Sequence, residues 1–430
     1  MHCIDVIEGE DFPLKGNEAE RLREAVARLR VQLKPSFSLL SERPGTFRLT
    51  NVVGTVDLGA GLVLQVAPKV EGAADWVTAV VALLTGKEGI DVAGERRAGF
   101  SKSHNRLLDA IARTYLRRLE RAFRQEGPIV LMERRSVELP GLSGRLDVTR
   151  WARTALWRPH VFPVVRTEFA QDNPFTRGLV HVADTLAHIS TDQKTRSGLR
   201  ALARDLSVGT PMNAPPPNGI GNRALPEQWS AYKPAWSLAM AVLRKTSLFG
   251  PTGGHAGVGL AIEAWPLLET LLERTLQAVQ RVGNAKGRAL SYRVQGDIPL
   301  LTPRGGLPQE PFSPKPDGRL YENGKLVATF EAKYSAYSGS IPQRGHIYQA
   351  LTTAAACGAT TAVLVYPETF DPQLWDVTGL SGQPMVLAAV GLGLYKWLPP
   401  NEADARAEML LALVDRLNAP AFAPKLMAVA

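Results

Sequence analysis

Cysteine is nearly missing from this chain: Cys3 and Cys357 are the only two in 430 residues, and they stand far apart. A disulfide framework and a Cys-rich zinc site are excluded, and a reducing cytoplasm is the expected compartment. No apolar run reaches the ~18 residues of a membrane span. The stretch beginning Met1-His2-Cys3-Ile4-Asp5 lacks the basic-then-apolar pattern of a secretory signal, so no membrane partner is expected. No Gly-Lys-Ser/Thr succeeds the glycines of Phe249-Gly250-Pro251-Thr252-Gly253-Gly254, so there is no P-loop, and any nucleotide-driven movement has to come from another polypeptide. The seven histidines show no metal spacing; His181 and His188 share an expected helix and are assigned to packing. No internal repeat is found.

What is present is enough apolar residue, 45%, to bury more than one core, and the length suggests two or three domains. A net charge of +9 and a pI near 9.6 suit a polyanionic partner, or simply a basic protein. The chain reads as multidomain α+β and α/β. Residues 1–100 are expected to form a mainly β domain, with one helix over Asn17 to Leu33 and strands over Phe47 to Leu58 and Leu62 to Pro68 about a Gly-Ala-Gly turn. Residues 101–250 are expected to be a mostly helical middle or linker domain, interrupted at Pro140-Gly141 and Gly144-Arg145-Leu146-Asp147. A proline-rich link spans Pro211 to Pro217, and helix resumes from Trp229 to Leu248. Residues 251–400 are a third domain, with 401–430 a helical extension. On the helix expected from Ser103 to Gln125, Arg113, Arg117, Arg121 and Arg124 lie opposite Leu108, Ile111, Tyr115, Leu119 and Ala122. That stripe reads first as a solvated face or a docking surface, and less readily as a phosphate contact.

The chemistry concentrates in Pro316-Asp317, a hairpin, and Glu331-Ala332-Lys333. Side chains alternate along a strand, so Thr329, Glu331 and Lys333 share one face and Ala332 points into the core. Asn323-Gly324 is a strong hairpin signal. A two-residue type I′ loop pairs Glu322 with Lys325 and sets Asp317 opposite Phe330, on the wrong face. A three-residue loop pairs Tyr321 with Lys325 and brings Asp317 opposite Thr329, with Glu331 a diagonal neighbour at roughly 7–8 Å. The expectation is that three-residue loop, or an equivalent bulge near Gly318. Two carboxylates with a backbone carbonyl and a phosphate oxygen make a plausible shell for Mg²⁺, with Mn²⁺ a possible substitute. Lys333 could orient the attacking water or stabilise phosphorane charge. The same spacing also arises in ordinary surface hairpins.

Upstream, Leu268, Leu271, Leu272, Thr275 and Leu276 fall at helical spacing. Glu269 or Glu273 of that helix could reach the metal, and Glu273 belongs more naturally to the solvated face. Downstream, Ile347 to Ala356 reads as a helix bearing Tyr348 and Gln349, and Thr360 to Tyr366 as a buried strand. Helix, hairpin, Glu-x-Lys strand, helix and strand is an α/β/α order.

Asp317 to Lys333 resembles the PD-(D/E)xK nuclease motif, and the surrounding chain looks like the McrC family, the nuclease subunit of McrBC-type restriction systems. Leu62-Val63-Leu64-Gln65-Val66-Ala67-Pro68-Lys69-Val70 is similar to the strand ending in Pro-Lys of that family's amino-terminal domain. Leu107 to Leu116 with Gly144-Arg145-Leu146-Asp147-Val148, and Asp172-Asn173-Pro174-Phe175-Thr176-Arg177-Gly178-Leu179, look like its middle region. Glu269 and Tyr348-Gln349 match positions on the helices either side of the hairpin. His346 departs, standing where many relatives carry an acidic residue.

The resemblance implies a PD-(D/E)xK restriction-endonuclease-like domain over 251–400, a partner-binding role for 1–100, and a hexameric McrB-like AAA+ GTPase or ATPase as partner on double-stranded DNA. Asp317 and Glu331 are expected to bind Mg²⁺, Glu269 to assist directly or through water, Lys333 to serve the attacking water, and Gln349 to support the site. Two other classes stay open: a motor-independent repair or junction nuclease, and a DNA-binding scaffold whose nuclease is vestigial.

Overall fold

The computed structural model describes residues 2–33, 38–59, 62–70, 76–85, 106–207, 215–243, 261–294, 296, 298, 300, 313–337, 339–378, 385–396 and 402–418. Part of the Gly-Ala-Gly turn, part of the proline-rich link, the Phe249 to Gly254 segment and the Leu108 side chain lie outside the described residues. The chain opens with β1 (His2–Ile7), β2 (Asp11–Pro13), α1 (Asn17–Leu33), β3 (Leu40–Arg43), β4 (Thr46–Leu49), β5 (Val52–Gly59), β6 (Leu62–Ala67) and α2 (Trp76–Thr85). It continues with α3 (Arg106–Glu126), β7 (Leu131–Leu139), β8 (Arg145–Leu146), α4 (Val148–Thr154), β9 (Phe162–Ala170), α5 (Pro174–Ile189), α6 (Gln193–Leu206) and α7 (Lys233–Leu243). Next come β10 (Ala261–Glu263), α8 (Ala264–Ala285), β11 (Leu290–Arg293), β12 (Gly318–Glu322) and β13 (Lys325–Ala332). The remaining elements are α9 (Arg344–Cys357), β14 (Thr361–Tyr366), β15 (Gln373–Val377), β16 (Met385–Gly391) and α10 (Glu402–Asn418). Two compact units result: Met1–Leu107 with Thr252–Ala430, and Leu108–Pro251.

In the first unit, β1-β6-β5-β10 form one sheet and β2-β4-β3 another. The strand expected over Phe47 to Leu58 is divided, because Asn51 adopts a left-handed backbone (φ +58°) that ends β4 and redirects the chain into β5. Leu22 and Val26 of α1 pack with Val52, Val56, Leu64 and Val66, the inward residues of β5 and β6. Ala261 to Glu263, on the far side of the expected middle domain, pair with Val52 to Gly54, so this edge strand leads directly from the amino-terminal sheet into α8.

The same unit holds a six-stranded sheet of order β11-β12-β13-β14-β16-β15. Its centre, β13-β14-β16, is parallel, and β14 is buried throughout, as the run Thr361-Ala362-Val363-Leu364-Val365-Tyr366 requires of a strand covered on both faces. Ala350 and Ala354 of α9 pack on one face against Ala362, Leu364 and Tyr366. On the other face α8 approaches β12 so closely that a Cβ at Gly318 would lie 2.5 Å from Leu276 Cδ1, which is why glycine opens that strand. α10 runs along α8, tied to it by Arg281–Asp404 and to the residues just past its end by Lys286–Glu408 and Arg288–Asp415. The result is helix, sheet, helix.

The second unit is not helical alone. β7, β9 and β8 form an antiparallel sheet, although the charged run Glu133-Arg134-Arg135 leaves Leu131 to Leu139 without an apolar alternation. Ile111, Tyr115, Leu119 and Ala122 of α3 are buried, while Arg117, Arg121 and Arg124 face outward and Arg113 is half-buried. The Asp172 to Leu179 segment proves to be a helix start. The Asn173 side chain accepts from the Phe175 and Thr176 amides, Pro174 occupies the first turn, and Arg177 forks onto Asp172 at 2.6 and 2.8 Å. Among the described residues no helix is long and apolar enough to cross a membrane.

Candidate active site

The hairpin turns differently from the expected loop. Glu322 pairs with Lys325, and Asn323 (φ +50°) and Gly324 (φ +77°) form the two-residue type I′ turn. A bulge corrects the register: Tyr321 pairs with Leu326, but Leu320 pairs with Ala328, which leaves Val327 as the extra residue. Gly318 then meets Phe330, and one further step sets Asp317 against Glu331 on the productive face. The backbone amide of Ala332 donates to Asp317 Oδ2 at 2.7 Å and holds it there. The bulge thus lies in β13, not near Gly318, because the Asn-Gly pair takes the two-residue turn that its left-handed preferences favour.

Asp317, Glu331, Lys333, Gln349 and Glu269 come together at this end of β13. Glu331 is 2% exposed. Its Oε2 accepts from Lys333 Nζ at 3.2 Å and from Gln349 Nε2 at 3.0 Å, while Gln349 Oε1 accepts from Lys333 Nζ at 2.9 Å. This triangle fixes the amide orientation of Gln349, since reversing it would face donor to donor and acceptor to acceptor. The Glu269 and Asp317 carboxyls are close enough to influence one another's ionisation. Burial pushes the Glu269 carboxyl up to about 7, and the neighbouring Asp317 carboxyl adds to the rise. Burial also raises Asp317, against the Ala332 amide and the Lys333 charge that lower it. Glu331 is raised by burial, with Lys333 opposing.

Three carboxyl groups around one lysine outnumber its charge once they ionise, an excess that a cation would relieve. The donor set suits a hard divalent ion, and one atom points to it: Glu331 Oε1 is buried without a hydrogen-bond partner. The Thr353 hydroxyl lies near enough to favour the ionised carboxylate, yet no bond of normal geometry reaches Oε1. Among the described residues no three His, Cys, Asp or Glu side chains already converge at metal-holding spacing. The reason is local: Glu331 is turned onto Lys333 and Gln349, and Asp317 onto the Ala332 amide. The carboxylates are gathered but not converged, and each fits an oxygen-ligated ion such as Mg²⁺.

Glu273 is exposed on α8, on its solvated face. His346 pairs through Nδ1 with the Tyr366 hydroxyl at 3.2 Å, and burial lowers its pKa. Sequence reasoning missed Thr353, one turn beyond Gln349 on the same helix face, a spacing that could have found it. It also missed Tyr334, whose hydroxyl contacts Glu8 at 2.7 Å, and Asn51; nothing in their spacing announces them.

A layered α/β unit with a buried carboxylate, lysine and glutamine cluster at a strand end, in a chain with a second mixed unit, defines a multidomain α/β protein with a candidate hydrolytic centre. A family model described as McrBC 5-methylcytosine restriction system component matches residues 47–367. The chain belongs to this family, as its motifs had suggested. No curated protein matches it. Among solved structures it is similar to a chain of the refined half-complex from a tetradecameric assembly of Thermococcus gammatolerans McrB AAA+ hexamers with bound McrC. The identity is 16%, the TM-score 0.64, and the match covers 96% of this chain and 100% of that one. A chain of the cryo-EM structure of the Thermococcus gammatolerans McrBC complex is 17% identical, with a TM-score of 0.48, over 64% of this chain and 88% of that one. At 16% identity the first of these likenesses is one of fold.

Proposed function

We propose that this chain is the endonuclease subunit of an McrBC-type restriction system and cleaves double-stranded DNA in the cytoplasm through a PD-(D/E)xK domain over 251–400. The observation that carries the reading is the bulged hairpin, which turns Asp317 toward Glu331 and Lys333 beside an unsatisfied buried carboxylate oxygen. Asp317, Glu331 and Glu269 would hold Mg²⁺, or Mn²⁺ in its place. Bound there, the ion would supply Lewis acidity and lower the pKa of a coordinated water.

The protein's own groups do the positioning. Lys333 spends two of its ammonium hydrogens on Glu331 and Gln349, and the third remains to orient the attacking water or a phosphate oxygen. Gln349 ties Lys333 to Glu331 by accepting from the one and donating to the other. The Ala332 amide fixes Asp317, and a cation held beside Glu269 would favour the ionised form of its carboxyl.

Residues 1–100 would bind the partner, 101–250 would form the middle domain, and 401–430 would be the carboxy-terminal extension. The partner would be an McrB-like hexameric AAA+ GTPase or ATPase. The chain carries no P-loop of its own, and the solved relative is a complex of McrB AAA+ hexamers with bound McrC.

Replacing Lys333 by Ala should abolish cleavage of duplex DNA in the presence of Mg²⁺ and the motor, while the melting temperature and co-purification with the motor stay unchanged. Residual cutting at the wild-type rate would remove Lys333, and with it this site, from the chemistry.

A further inference from the structure

The Pro68-Lys69 end of β6 and the turn at Asn51 converge on Glu8, which comes directly after β1 and is fully buried. Glu8 Oε1 accepts from the Asn51 amide at 2.6 Å, and its Oε2 accepts from the Tyr334 hydroxyl at 2.7 Å. Lys69 Nζ stands 3.8 Å from Oε1 and 5.1 Å from the centre of the Tyr334 ring, so one lysine covers both partners. The Tyr334 hydroxyl also meets that of Tyr395 at 3.0 Å, which seals the cluster from the far side.

Each oxygen of Glu8 leads to a different part of the candidate site. Asn51 caps α8: its Oδ1 accepts from the Trp265 amide at 3.0 Å, its carbonyl accepts from the Ala264 amide at 3.2 Å, and its Nδ2 donates to Glu263 at 3.2 Å. Less than two turns further along α8 stands Glu269. Tyr334 directly succeeds Lys333, whose amide donates to the Val365 carbonyl at 2.8 Å and so extends the β13 ladder to the lysine itself. Neither oxygen can move without shifting the start of α8 or the end of β13.

We propose that Glu8 is a positioning residue for the hydrolytic site: its two oxygens set the spacing between the helix that carries Glu269 and the strand end that carries Lys333. Through it the amino-terminal sheet holds the geometry of the nuclease centre, so a disturbance of that sheet reaches the reacting groups without any contact with substrate. Glu8 itself touches no reacting atom. This inference rests on the reading of Asp317, Glu331, Glu269 and Lys333 as that centre, and its test keeps the two apart.

The full chain is prepared as wild type, Glu8→Gln, Tyr334→Phe, the double variant and Lys333→Ala. Each is assayed with its motor for single-turnover plasmid cleavage in Mg²⁺, and alone for Mn²⁺ affinity by calorimetry, well below every melting midpoint. Glu8→Gln and Tyr334→Phe are expected to lower the cleavage rate about ten- to a hundredfold, as supporting groups around metal sites do, and to weaken Mn²⁺ binding severalfold. The double variant is expected to be no slower than the worse single, because both changes cut the same link. Tyr334→Phe carries the test should Glu8→Gln fail to fold. Wild-type rate and affinity in Tyr334→Phe beside an inactive Lys333→Ala overturn the positioning role and leave the site standing. Effects that multiply in the double variant overturn it too, since they indicate independent damage. A Lys333→Ala protein that still cuts overturns the site, and the positioning role falls with it.

Discussion

Two glutamates in the first unit are buried almost alike and behave differently. Glu8 is 0% and Glu331 2% exposed, burial raises the pKa of both, and each has a lysine beside it, Lys69 at 3.8 Å and Lys333 at 3.2 Å. Glu8 has both oxygens satisfied, by Asn51 and Tyr334. Glu331 has one oxygen crowded with two donors and the other without any. A buried carboxylate whose acceptors are all filled is a tie between elements. One whose acceptor is left open, with two more carboxyl groups near it, suits the cation-holding role proposed for Glu331. Leaving a buried polar atom unmet costs about 1–3 kcal/mol, a cost that a bound cation would offset.

The largest expected effect comes from removing the register correction that separates the two. Deleting Val327 should convert the bulged hairpin into a flat one, send Asp317 to the opposite face, and lower duplex cleavage about a thousandfold, comparable to losing a principal electrostatic group. Calorimetry should show Mn²⁺ binding lost, while the Glu8 tie and partner assembly survive. Retained cleavage would mean that Asp317 is not a ligand.

Stability sharpens the contrast next. Glu8→Gln should cost about 1–3 kcal/mol in urea unfolding at pH 8 without metal, because a charge-assisted acceptor inside a filled network is weakened. Glu331→Gln, which relieves an excess of negative charge, should cost less than about 1 kcal/mol under the same conditions. The opposite order would erase the distinction between tie and ligand.

The smallest effect is one of pH. Glu269 titrates near 7 in the folded chain against an ordinary carboxyl value of 4.5, so the folded state binds the proton more tightly. Its stabilising contribution is fully present below about 4.5 and is lost as pH rises through 7. Metal-free melting temperatures should therefore fall across that window, and Glu269→Gln should flatten the fall. Saturating Mg²⁺ should also flatten it, because a cation favours the ionised carboxyl. An unchanged slope in Glu269→Gln would assign the titration to another group.

Much of this was legible where a local rule decides. The helical spacing of Leu268, Leu271, Leu272, Thr275 and Leu276 forecast α8, and all five are buried. The apolar run from Thr360 to Tyr366 forecast a buried strand, and β14 is buried throughout. The pattern Asp317…Glu331-Ala332-Lys333 marked residues that do come together. The strands β7 and β9 were missed because their pairing, with Glu133 to Arg135 and Arg166 to Glu168 in register, satisfies backbone groups without an apolar alternation to announce it. Asn323-Gly324 was read as a hairpin signal, but in place of the three-residue loop or a bulge near Gly318 the register is corrected by a bulge at Val327, which looks like any other strand valine.

The amino-acid sequence by itself determined which residues are candidates for the chemistry, since carboxylate, lysine and glutamine are chosen by type and by strand and helix periodicity, both local quantities. Only the tertiary structure decided how they face one another. The bulge that turns Asp317 inward, and the hydrogen bonds that join Glu8 to Asn51 and Tyr334 across 43 and 326 positions of chain, depend on elements meeting in space. No short-range spacing encodes such meetings.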